Sequence, residues 1–209
     1  MTTRTAAPRT STWAGIAVGV LLLGLMAAFA IVLPKTADAG EGASQLELAL
    51  PDELPGGYAA ADLPSSFADG ELAEQAEQVA EQQAASTDYG NEVLPEVLAT
   101  PAVTRSYVTN GTDAVFVQVI QAEGGALAAG TLTDPETTGG GGGTTMATVG
   151  DGVCILTYGQ SQGDSVGEPV SSQCQVTRDG VTVQLQSNQV PAADLIDLAD
   201  AVLEQQPGE

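Results

Sequence analysis

From Trp13 to Leu33 the chain runs for twenty-one residues without a charge, and the only charged residues before this run are Arg4 and Arg9. At about 1.5 Å per helical residue the run reaches ~31 Å, the hydrocarbon thickness of a bilayer. Its only breaks are Gly15, Gly19 and Gly24, which membrane helices tolerate better than soluble ones. The run predicts a transmembrane helix over 13–33 and divides the chain into two unequal parts.

Lys and Arg near a span stay on the cytoplasmic side. Two arginines precede this one, while Lys35 follows it with Asp38 and Glu41 close by. The bias predicts a cytoplasmic N-terminus over 1–12 and a large extracytoplasmic C-terminal part. A cleaved secretory signal is the competing reading, since Ala37-Asp38-Ala39 before Gly40 and Ala28-Phe29-Ala30 both fit a small-x-small cleavage pattern. Signal-peptide apolar regions are about 7–15 residues long, so the longer run favours a retained anchor. Both readings put residues 40–209 outside the cytoplasm.

The formal net charge is −22. It arises from missing base rather than surplus acid, because charged residues make up only 15% of the chain against roughly 25% in ordinary globular proteins. Of the 27 acidic residues only Asp38 precedes residue 40, and of the five basic ones only Arg105 and Arg178 follow it. Such a surface repels nucleic acid and anionic headgroups. Cys154 and Cys174, the only cysteines, are expected to form a structural disulfide in an oxidising compartment. A redox pair would need Cys-x-x-Cys spacing or a nearby cation.

Residues 34–57 read as a linker, broken by Pro34, Pro51, Pro55 and four glycines. Within it Leu46, Leu48 and Leu50 alternate with Glu47 and Ala49, so this stretch is expected to pack onto the domain that follows. That domain is placed at 58–209. Helix formers dominate from Glu71 to Asp88, with Ser66 and Asp69 as N-cap candidates and a thin apolar stripe of Leu72, Ala76 and Val79. The helix is expected to run on towards Thr100-Pro101.

Strand chemistry then takes over. Residues 103–109 and 114–121 flank Asn110-Gly111, a hairpin with a two-residue turn; Asn110-Gly111-Thr112 also matches a glycosylation sequon, which the turn explains without a sugar. A further strand is placed around 126–132, and residues 134–145, with Gly139–Gly143, read as a flexible loop. They lack the Lys of a phosphate-binding loop. Residues 153–158 read as a buried strand, and 173–178 with 181–186 as a second hairpin around Asp179-Gly180. The segment 191–205 is an amphipathic helix with Leu195, Leu198, Ala199 and Val202 on one face and Asp194, Asp197, Asp200 and Glu204 on the other.

The expected fold is therefore α+β: an antiparallel sheet of about five strands flanked by helices, with one disulfide. There is no histidine, and no lysine after Lys35. Ser-His-Asp, Cys-His and Ser-Lys nucleophile systems and histidine zinc sites are thus excluded beyond the anchor. No catalytic, cofactor-binding or metal-ligating residue is assigned and no cofactor is expected. The composition suggests a bacterial envelope protein. The functional expectation is a membrane-anchored, non-catalytic binding, accessory or sensor module that meets a protein partner at the outer face of the membrane. A carboxylate-based hydrolase of envelope glycans is the alternative, with a calcium-responsive surface module third.

Overall fold

The computed structural model describes residues 46–206 except 70, 111–112, 125–129, 139–141 and 161–165. The expected anchor at 13–33 lies outside the described residues; among these, no helix is long and apolar enough to cross a membrane. The compact unit runs from Leu46 to Glu209.

It is built on one antiparallel sheet of eight strands rather than about five: β1 (Glu53–Leu54), β2 (Tyr58–Ala60), β3 (Ala102–Thr109), β4 (Asp113–Gln121), β5 (Gly143–Val149), β6 (Gly152–Tyr158), β7 (Pro169–Arg178) and β8 (Val181–Ser187). The order is β1-β2-β3-β4-β8-β7-β6-β5, two four-stranded meanders joined where β4 meets β8. The expected count fell short for local reasons. β1 and β2 are too short to show alternation, and β5 begins at the last residue of the glycine run, so residues 143–145 of the expected loop are strand. The residues described from 130 to 132 form no strand; Thr133 instead makes an isolated bridge to Thr144.

Both expected hairpins form. Asp179 and Gly180 have φ of 51° and 72°, and Arg178 pairs with Val181, the two-residue turn that a right-twisted hairpin favours. In the first hairpin Thr109 pairs with Asp113. Three residues therefore separate the paired positions instead of two.

One face of the sheet holds the core. Val115, Val117 and Val119 of β4, Val181, Val183 and Leu185 of β8, and Cys174 and Val176 of β7 are all buried there. The C-terminal helix α2 (Ala192–Glu204) covers this face with Leu195, Leu198, Ala199 and Val202, as the heptad-like spacing predicts, and with Ile196 and Leu203 as well. Each such side chain contributes roughly 1.5–3 kcal/mol by leaving water. Cys154 and Cys174 face each other across β6 and β7 and are joined by a disulfide, with their Cα atoms 4.1 Å apart.

The longer helix precedes β3. A 3-10 turn, Ala73–Gln75, leads into α1 (Ala76–Leu98). Neither expected cap is used: α1 starts at Gln75 without a side-chain cap, and the Ser66 hydroxyl instead donates to Ala60 O at 2.6 Å. The thin stripe packs thinly. Leu72, Ala76 and Val79 rest on a small second cluster of Ala61, Phe67 and Val108. Helix α1 continues through Gly90 and Pro95 to a left-handed Ala99. Packing overrides propensity here, because a Cβ on Gly90 would come within 2.6 Å of Thr104 Cγ2. This close approach lets Asn91 Oδ1 accept the Thr104 backbone N–H at 2.7 Å, satisfying an edge amide of β3 that β2 is too short to reach.

The entry segment lies on the core side. Leu48 and Leu54 are buried in the main cluster, and Gln206 exchanges hydrogen bonds with the backbone of Ala49. Arg105, on β3, holds this segment down. Its Nε and Nη2 donate to Asp62 at 2.9 and 2.8 Å, Nη1 donates to Leu50 O and Pro51 O, and Nη2 also meets Asp52 at 2.9 Å. Five contacts match the five donors of a guanidinium. Burial works against the Arg105 charge, but the hydrogen bonds to Asp62 and Asp52 outweigh it and hold its pKa above the ordinary arginine value.

Two residues along β3, fully buried Tyr107 donates its hydroxyl to Pro51 O at 2.7 Å. Burial is the largest cause that pushes its pKa from 10.0 up to about 12, opposed by neighbouring Arg105. A folded-state pKa raised above the unfolded one gives stability that is complete below about pH 10 and lost as pH rises towards 12. The expected loss is about 2–3 kcal/mol. Urea denaturation at about pH 9 and about pH 12 measures it, with Tyr107→Phe as the variant whose profile lacks this component. Equal pH profiles for the two proteins would contradict the assignment.

Candidate binding face

The second face of the sheet is made by the alternate residues of the same strands. Helix α1 covers it only over β3, where Ala102, Thr104 and Val108 are buried. From β4 to β5 no helix among the described residues lies on it. Strand register aligns its side chains in rows across the sheet. One row reads Ser106, Phe116, Gln186, Gln173, Ile155, Met146. The next reads Thr104, Gln118, Gln184, Gln175, Val153, Thr148.

Neither row contains a charge. Strands β3 to β8 carry three charged residues, Arg105, Asp113 and Arg178, and alternation puts all three on the helix α2 side. Arg105 is clasped there by Asp62 and Asp52, and Arg178 pairs with Asp200 of α2 at 2.8 Å. A chain of net charge −22 thus has one sheet face that is uncharged from β3 to β8, buried at Ile155, at Thr182 and beneath α1, and half-buried or exposed elsewhere. Within it Phe116, Met146 and Val153 are 43%, 41% and 39% exposed. A polar lattice surrounds them: Gln184 Nε2 donates to Gln175 Oε1 at 3.1 Å, and the Thr177 and Thr182 hydroxyls lie 3.0 Å apart. Thr182 also donates to Ala122 O, and the β4–β5 connection then passes over this end of the face, with Gly124 against Thr177 and Gln175 of β7.

The carboxylates are distributed differently. Asp194 and Asp197 line a cleft of about 400 Å³ with Pro55, Gly56, Tyr58 and Leu198. Burial, then Asp113 and Asp194, raise the Tyr58 pKa. Glu74, Glu77 and Glu81 line a wider depression at the start of α1. Every one of these five carboxylates is on an exposed residue, unlike a catalytic acid whose pKa is raised by an apolar pocket. Asp200, in the acidic stripe of α2, is engaged by Arg178. Among the described residues no three Asp, Glu, Cys or His side chains gather as a metal site.

The only site residues named from sequence, Cys154 and Cys174, are brought together as expected. The neutral face is not legible in the sequence because it depends on which strands are neighbours. Its local trace was legible: in β7, Gln173 and Gln175 alternate with Cys174 and Val176. No protein-family model, curated protein or solved structure matches this chain.

Proposed function

We propose that the protein is a non-catalytic binding module of the cell envelope, anchored by residues 13–33 with its C-terminal domain outside, and that the neutral sheet face docks a protein partner. The observation that carries this reading is the segregation of charge: the charges of strands β3 to β8 all lie on the helix α2 side, and the other side holds Phe116, Met146 and Val153 among Gln, Ser and Thr. Protein interfaces are depleted of Asp, Glu and Lys at their centres and enriched in aromatic residues and Met. A glycan-binding surface would call for a platform of several aromatic rings; Phe116 is the one aromatic residue in the two rows. The exposed positions of the carboxylates support a binding role over a hydrolase, and the anchor rests on the length and flanking charge of the uncharged run. Photocrosslinking from position 173, compared with position 197 on the acidic face of α2, tests the proposal.

A further inference from the structure

The two edges of the sheet are treated very differently. At one edge β1 has two residues, stands between Pro51 and Pro55, and exposes Glu53; behind it, Asn91 occupies the Thr104 amide of β3. Shortness, proline, charge and side-chain cover are the devices that stop an edge from recruiting another strand. At the other edge β5 is seven residues long, Gly-Thr-Thr-Met-Ala-Thr-Val, with no proline and no charge.

Thr144 exchanges both of its backbone hydrogen bonds with Thr133 on the outer side of β5. Backbone groups alternate along a strand, so Met146 and Thr148 also point outward. Among the described residues no backbone group pairs with them there.

We infer that this free edge pairs with the β5 edge of a second copy, antiparallel about Ala147, so that Met146 of each chain hydrogen-bonds Thr148 of the other. Three observations select a second copy. The exposed segment matches itself in this register, placing Met146 against Thr148 on one face and Ala147 against Ala147 on the other. The opposite edge is blocked, so the contact closes as a twofold dimer instead of propagating into a fibre. Finally, two chains this acidic repel over most of their surfaces, and β5 itself, with no charged residue, is where two copies meet with the fewest carboxylates between them. The register also brings Asp151, in the β5–β6 turn, towards Asp134 and Glu136 of the other copy. Pairing therefore strengthens as salt shortens the Debye length from ~10 Å at 0.1 M towards ~3 Å at 1 M.

The test is sedimentation equilibrium of the full chain in detergent micelles, with amide hydrogen exchange on the same samples. A dimer that strengthens with salt is expected, with the Met146 and Thr148 amides slowing as protein concentration rises. Met146→Pro removes an outward N–H without touching the β6 ladder and should weaken the dimer about tenfold or more, since two hydrogen bonds go per dimer. Met146→Ala keeps the N–H and should retain the dimer. Thr148→Pro serves in place of Met146→Pro if that variant fails to fold. A monomer at all concentrations, or a dimer equally stable in both proline variants, would overturn the inference.

Discussion

Replacing Arg105 with methionine is expected to lower domain stability by about 3–5 kcal/mol, a large share of a total that is typically 5–15. The guanidinium side chain is only 15% exposed, and so is little of Asp62, at 13%. Removing the cation leaves the Asp62 carboxylate without its bidentate partner, frees the Leu50 carbonyl and leaves Pro51 O held by the Tyr107 hydroxyl alone. Asp52, 71% exposed, adds little because its charge remains solvated. Asp52→Asn should therefore cost about 1 kcal/mol or less. An apolar pair at 105 and 62, Arg105→Met with Asp62→Leu, should recover most of the loss, since the cost of the single change lies in the stranded charge. Denaturant midpoints of the three variants measure this. If Arg105→Met and Asp52→Asn cost the same, the clasp is a surface ion pair and the account of the entry segment is wrong.

Removing the disulfide comes next in size. Cys154 and Cys174 are 20 positions apart, and closing a loop of that length stabilises the native state by about 3 kcal/mol in the chain-entropy model. Both residues are fully buried, in the cross-sheet row Ala147, Cys154, Cys174, Leu185, Val117, Arg105. The row begins beside the disulfide and ends at the clasp. A loss of about 2–5 kcal/mol is expected for Cys154→Ala with Cys174→Ala, read as a shift in denaturant midpoint against the oxidised protein. A loss well below 1 kcal/mol would mean that the ladder alone fixes β6 against β7.

What could be read from the sequence was whatever a short window contains. The hairpin at Asp179-Gly180 was legible because a turn needing positive φ twice selects such residues. Helix α2 was legible because its apolar spacing recurs every three or four residues. The disulfide followed from counting cysteines in an oxidising compartment. Strands β1 and β2 escaped because two or three residues carry no periodicity, and β5 because the glycine run before it reads as loop. The helical reach of α1 past Gly90 and Pro95 is decided by packing against Thr104 rather than by propensity. Arg105 reads only as one of two cations after residue 40. Its partners come from residues 50–52 and 62, and their meeting depends on how β1 and β2 fold back along β3. The neutral face is the most non-local feature of all, since its rows draw each residue from a different strand.

Its role as a docking surface is tested most directly by site-specific photocrosslinking in membranes of the native host, with the reactive side chain at position 173 or at position 197. The account predicts a discrete adduct with another protein from position 173, in the middle of the neutral rows, and none from position 197 on the acidic side of α2. Adducts of equal yield from both positions, or an adduct from position 197 alone, would contradict it.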